Sequence, residues 1–322
     1  MPNGGLPTTQ AATFEEMFMQ QDPAHAIKFG WFMSAEGVPG QEEMPLVMSE
    51  ERAVLPFVAE HFDSIWVQDH FYAFRDPAHA WLECMTTLTW LAARCPRLHV
   101  GPIVLGVGYR NPALLAKMSA TLQVLSEGRF IMGIGAGWRG AEYTAYDYPF
   151  PPTPTRVQQL DEAVQILRLM WTEEAPTFQG QHYRIEKAYC EPRPSMPPPV
   201  MIGGGGEKLV LPLVGRIADI WDRYHGGALE EIDLAGYSRK REIVRKHAAE
   251  AGRDPEAVVQ SFTIENGRLP ESRKDSDHWI SQLRPLLDLG VRQFILGFGH
   301  VTDAGKVRRF VEEVMLPIRH VG

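Results

Sequence analysis

Cysteine is scarce in this chain. There are three residues among 322, Cys84, Cys95 and Cys190, and none stands in a C-x-x-C pair. That excludes a disulfide framework and argues against a structural zinc site, so a reducing, cytoplasmic setting is expected. Basic residues are outnumbered, 32 Lys and Arg against 40 Asp and Glu, for a formal charge of −8. A nucleic-acid partner is therefore not expected, because neutralising phosphates needs a basic surface. No apolar run approaches the roughly 18 residues that span a bilayer, so no membrane segment is expected. The first 26 residues, rich in Gly, Pro, Thr and Gln, show neither a basic n-region nor an apolar h-region; they read as a tail rather than a signal peptide. The first apolar run, KFGWFM, lacks an H-x-H pair, and no His/Asp/Glu cluster has ligand spacing, so no metal is expected and a metal-dependent hydrolase is disfavoured.

What the chain has is alternation. Short apolar runs at 27–33, 64–68, 98–105, 130–136, 200–203, 218–221, 258–264 and 293–297 each precede a helical pattern. The helices are predicted over 44–61, 79–94, 112–125, 155–171, 207–215, 229–252, 275–289 and 303–315. Asn111 followed by Pro112 reads as an N-cap and first helical residue, and Gly128 as a stop. Pro56 should kink or split its helix. Eight strand-to-helix units predict a parallel sheet, and over this length a closed (β/α)8 TIM barrel from 27 to 322, which typically takes about 250 residues. An open Rossmann-like sheet is the alternative. Residues 174–198 break the rhythm as an insertion, with a small hairpin expected at 178–183.

In such a barrel, chemistry sits just after the strands. Asp69-His70 follows the second run. His70 is either a proton-transfer group, suited by its near-neutral titration, or a histidine capped by a nearby carbonyl; position alone leaves both open. Gly203, Gly204, Gly205 and Gly206 lie between a strand and a helix, where bare backbone can approach an anion, and Lys208 would add charge in the helix's first turn. Gly133-Ile-Gly135-Ala-Gly137 is a poor dinucleotide fingerprint, since no helix follows directly; close approach of Gly135 and Gly137 to a flat ring accounts better for the glycines. Trp138, Glu142 and Tyr143 follow, and Trp138 either walls a pocket or fills the barrel top. His225 and His300 are read as structural or solvated.

Five segments, taken jointly, resemble the bacterial-luciferase-like flavin and deazaflavin oxidoreductases: FDSIWVQDHF (62–71), the stretch 97–143, the stretch 156–185, PPPVMIGGGGEKLVLPLVGRIADIWD (197–222) and GVRQFILGFG (290–299). The resemblance extends over about residues 27–316 and points to the F420-dependent members. It implies a barrel with an insertion, usually a homodimer, with an isoalloxazine-type ring across the barrel mouth. It implies a non-prolyl cis peptide near Ile103 and Val104 behind the ring, Asp69 and His70 near the reactive face, and Gly203 to Gly205 on the phosphate. Asp69 would orient His70 or contact the cofactor. The implied activity is hydride transfer between F420 and a small-molecule substrate; the alternative is an FMN-dependent monooxygenase using oxygen, and a protein that only binds the cofactor is a further rival. Departures exist: His61 replaces a glycine, Phe74 stands where some deazaflavin dehydrogenases carry Trp, and Trp138 stands where the sugar-phosphate dehydrogenases carry a catalytic Glu. A sugar phosphate is therefore not the expected substrate.

Overall fold

Strands buried on both faces need apolar side chains on both, and the first strand, β1 (Lys28–Met33), is buried at all six positions. The computed structural model describes residues 27–33, 53–74 and 76–320. The expected tail at 1–26 and the first part of the helix expected at 44–61 lie outside the described residues. The remaining elements of the first half are α1 (Leu55–His61), β2 (Ser64–Val67), α2 (Cys84–Arg94), β3 (His99–Pro102), β4 (Leu105–Gly106), α3 (Pro112–Leu125), β5 (Met132–Gly135), α4 (Gly140–Ala145) and α5 (Thr153–Thr172). A hairpin of β6 (Phe178–Gln179) and β7 (Arg184–Ile185) leads into β8 (Val200–Gly203), α6 (Val210–Ile217), β9 (Ile220–His225), α7 (Leu234–Glu250), β10 (Val259–Ile264), α8 (Arg273–Asp288), β11 (Val291–Gly297) and α9 (Ala304–Phe310).

The main sheet runs β3-β2-β1-β11-β10-β9-β8-β5-β4. Its named pairings are all parallel. β3 and β4 are two pieces of one stave, interrupted by a cis peptide between Ile103 and Val104. The ring closes where β4 pairs with β5 and where Val100 bridges Phe130. Eight staves result, and the expected (β/α)8 barrel is the observed fold.

The barrel has two apolar compartments. A small inner cluster joins Phe32, Trp66, Ile103, Ile131, Met201, Ile220 and Ile295, and a larger outer one joins the sheet to the helices. Trp66 is the largest inner group, and its neighbours make room for it. A Cβ on Gly30 or on Gly101 would lie 2.5 Å from the Trp66 ring. Its Nε1 donates to Ser64 Oγ at 2.8 Å, so the ring's polar atom is satisfied.

Local punctuation follows chemistry. Asn111 caps α3 through its side chain, accepting from Ala113 N at 2.9 Å, with Pro112 at the first position as expected. Gly128 takes φ 87° at the stop. Pro56 does not break α1; it sits in its first turn, where its missing N–H costs nothing. The helix expected over 79–94 begins at Cys84, because the Glu83 carboxylate caps it, accepting from Met85 N and Thr86 N at 3.1 and 2.7 Å. The helix expected at 229–252 begins at Leu234, after the Asp233 cap. The hairpin of the insertion is pinned to α5: Glu162 accepts from the backbone N–H groups of Gln181, His182 and Tyr183.

Among the buried titratable residues, one lies on a strand of the barrel wall beside two hydroxyls. Asp222 on β9 is 1% exposed, and its Oδ1 accepts from Ser261 Oγ and Thr263 Oγ1 at 2.8 and 2.9 Å. Burial pushes its carboxyl from the usual 3.8 up to about 6, against the pull of those two hydroxyls. A raised folded-state value means stability that is complete below pH 3.8 and is lost as pH rises through about 6. Asp222→Asn should therefore stabilise the protein at pH 7.5, by roughly 3 kcal/mol at most, with the gain vanishing near pH 4. Urea unfolding across that range checks it; a pH-independent difference would contradict it.

Candidate active site

The mouth of the barrel is assembled from residues that follow β2, β3/β4, β5, β8, β9 and β10. Asp69 and His70 leave β2 together, but their side chains take different partners. Asp69 is buried and accepts a bidentate pair from Arg110, at 2.8 and 2.9 Å, plus Gly106 N at 3.0 Å. Arg110 also donates to Glu83 at 2.6 Å, so it ties the mouth to the α2 cap. Planar, two-point contact of this kind fixes orientation as well as charge.

His70 is held by a residue that position alone does not single out. Its Nδ1 lies 2.8 Å from Glu142 Oε2. Of the two roles expected for Asp69, orienting His70 belongs to Glu142. Glu142 is completely buried, yet it receives four donors: His70 Nδ1, Phe71 N, Tyr109 Oη and Arg139 Nη1. Burial alone would raise its carboxyl; the hydrogen bonds from His70 and Tyr109 outweigh that and hold it below its usual 4.5. Tyr109 moves the opposite way, its phenol pushed above the usual 10 by burial and by the bond to Glu142, so it stays a donor. An ionised carboxylate only accepts, so Nδ1 carries a proton and Nε2 is the nitrogen left for a further partner. Nε2 makes no hydrogen bond to any described residue.

Val104, next to the cis bond, lies between two bare backbones. A Cβ on Gly135 would sit 2.9 Å from Val104 Cγ2, and one on Gly203 3.0 Å from Val104 Cγ1. Side chains there would push the valine away, so the glycines keep a flat shelf at the barrel mouth. Ile103 is buried in the inner cluster, and Gly137 takes φ 74° above Tyr143.

The glycine run continues from β8. Gly204 N donates to Asp222 O at 3.2 Å, while the N–H groups of Gly205 and Gly206 find no acceptor among the described residues. The helix expected to start at Glu207 starts at Val210, so Lys208 precedes it, exposed in a turn. Two other cations flank the loop. A Cβ on Gly205 would be 3.5 Å from Lys240 Cε and 3.7 Å from Arg223 Cδ and Nε. Free N–H groups beside two cations are what an anion requires.

The sites expected from the sequence thus share one mouth: Asp69 touches Gly106, His70 touches the segment after β5, and Val104 touches Gly135 and Gly203. Glu142, Arg110, Arg223 and Lys240 complete it. His225 stays structural, its Nε2 2.8 Å from Ala228 O, and His300 is exposed. Among the described residues no group of His, Cys, Asp and Glu could hold a metal ion, and no helix is long and apolar enough to cross a membrane.

Residues 27–301 match the family described as luciferase-like monooxygenase. A protein of Amycolatopsis mediterranei named F420-dependent glucose-6-phosphate dehydrogenase is 27% identical over 346 residues, covering 92% of this chain and all of that relative. A protein of the same name from Kineococcus radiotolerans is 35% identical over 195 residues, or 60% of this chain; the match spans 55% of that relative's length. Among solved structures, an F420-dependent secondary alcohol dehydrogenase in complex with an F420-acetone adduct superposes with a TM-score of 0.72 at 20% identity, covering 90% of this chain and 98% of the other.

Replacing Glu142 with Gln keeps the shape but removes the charge and one acceptor. The expected cost is about 1–3 kcal/mol, with a mixed His70 tautomer in place of a single Nδ1–H form. Histidine 15N shifts at alkaline pH read the tautomer; an unchanged spectrum would remove Glu142 from this role.

Proposed function

The chain belongs to the luciferase-like monooxygenase family, and from that premise we propose that it is an oxidoreductase moving a hydride between coenzyme F420, a 5-deazaflavin, and a small organic substrate. The observation that carries the reading is the convergence on one mouth of a histidine with a fixed tautomer, a flat shelf and an anion cradle. The relatives named above as F420-dependent support the choice of cofactor.

The residues present fit that cofactor. Val104 between Gly135 and Gly203 offers a surface for a planar ring, and the Gly205 and Gly206 N–H groups with Arg223 and Lys240 offer a place for its phosphate. When bound, the deazaflavin supplies two-electron hydride chemistry. The chain's own work is proton handling and placement. Asp69 and Arg110 fix the segment from Gly106 to Arg110, which borders the shelf. Glu142 presents His70 with Nε2 facing the opening. In the direction that oxidises an alcohol, Nε2 takes the hydroxyl proton, and the Glu142 carboxylate offsets the charge on the ring; in the reverse direction Nε2–H returns it.

The working unit is taken as a homodimer, as the resemblance implies, and the setting as cytoplasmic; three buried cysteines outside any disulfide support a reducing compartment. The region from 27 onward is taken as one domain.

Titration of the purified protein with F420 and with FMN, followed by absorbance, tests the cofactor. F420 should bind, and Arg223→Ala should weaken it about fivefold, or roughly 1 kcal/mol. Tight binding of FMN alone would replace this reading with the flavin monooxygenase. Against a competent substrate, His70→Asn should lower kcat by roughly 10²–10⁴, leaving F420 affinity nearly unchanged. Loss of affinity without loss of kcat would make His70 a binding group.

A further inference from the structure

Resting on the proposed hydride-transfer reading, we infer that the substrate is an uncharged alcohol, or its carbonyl form, on an apolar or aromatic body, and that it is bound by Trp138 and Phe74.

The first observation is the collar around His70. Three rings meet the imidazole edge-on: Phe74 at 4.7 Å and 74°, Trp138 at 5.7 Å and 80°, and Trp81 at 5.9 Å and 79°. Phe74 and Trp138 lie nearly parallel, at 8° with centroids 6.0 Å apart. They are also open to solvent, Trp138 at 65% and Phe74 at 40%. Large exposed rings beside the imidazole form an apolar recognition surface, and a Trp this open does not fill the barrel top.

The second observation is the charge around the collar. Arg139 stacks over Phe74 at 4.3 Å, but its charge is paired with Glu142, and it also donates to the carbonyls of Tyr72 and Ala73. Arg110 is paired with two carboxylates, Asp69 and Glu83. Across the mouth a carboxylate enters: Glu265, after β10, accepts from Gln68 at 3.0 Å and from the Tyr224 hydroxyl, and Gln68 stands two residues before His70. Lys240 and Arg223 lie at the glycine loop, where the cofactor's phosphate needs them. Among the described residues, a second phosphate, on the substrate, would meet aromatic rings, arginines already paired with carboxylates, and Glu265, which compensates its desolvation poorly.

The step balances simply. In oxidation the alcohol O–H proton passes to His70 Nε2, the carbinol C–H bond breaks with its electron pair, and the C=O bond forms. An oxidised deazaflavin, when bound, would supply the two-electron acceptor for that hydride, and His70 releases the proton to solvent. Reduction of the carbonyl form reverses each transfer.

The test is isothermal titration of the full chain, alone and with F420, using acetophenone and glucose 6-phosphate as probes. F420-linked oxidation of 1-phenylethanol and of glucose 6-phosphate is followed alongside. Acetophenone should bind saturably, and Trp138→Ala should weaken it about tenfold without changing F420 affinity; Phe74→Leu should do so more mildly. Glucose 6-phosphate should neither bind nor turn over. No saturable acetophenone binding, or binding and turnover of glucose 6-phosphate, overturns the inference and leaves the cofactor reading standing. Loss of F420 affinity in Trp138→Ala also overturns it, since the rings would then belong to the cofactor. Failure of the wild-type chain to bind F420 at all overturns the underlying reading.

Discussion

A carboxylate with no access to water survives as an ion only if the protein replaces its hydration shell, and the mouth of this barrel is organised around meeting that demand at Glu142. The four donors come from separate places: the turn after β2, the turn after β4, and the approach to α4. Each donor therefore fixes the position of a segment while it satisfies the anion. The histidine tautomer follows from the charge, and the ring is oriented by the hydrogen bond from Nδ1 to that carboxylate. Remove the charge and the segments lose their common anchor. Asp69 does the same on a smaller scale, joining the chain after β3/β4 to the cap of α2 through Arg110.

The shelf and the cradle depend on a different economy, that of missing side chains. Val104 fits because Gly135 and Gly203 have nothing to clash with it, much as Trp66 fits lower down between Gly30 and Gly101. The barrel thus places its bulk centrally on a few residues and leaves backbone bare around them. Bare backbone is also what lets Gly205 and Gly206 present unshared N–H groups at the rim.

Much of this could be read from the chain. The eight-fold alternation, the Asn111-Pro112 start, the glycine run and the Asp69-His70 pair all depend on local chemistry, and local chemistry is written in order along the sequence. The errors lie where an interaction crosses the fold. Glu142 stands 72 residues from His70, and a lone acid in a short helical turn looks like a solvated one until the fold buries it. Its only signal is its place directly beyond a strand end among small and aromatic residues. Arg223 and Lys240 come from β9 and α7, while the nearby Lys208, the obvious choice by position, is not in the first turn of α6, which starts three residues late. Glu83 was hidden for another reason: a glutamate is an uncommon N-cap, and its role there depends on sharing Arg110 with Asp69.

Asp222 joins the two ends of this picture. Its carbonyl takes the Gly204 N–H, and its carboxyl, weakly acidic through burial, lies within the barrel on the same strand that supplies Arg223. Negative charge settling on the glycine loop disfavours a second negative charge just beneath it. By linkage, an anion held at the rim would favour the protonated form of Asp222, whose burial already raises its carboxyl, so the two events would reinforce each other.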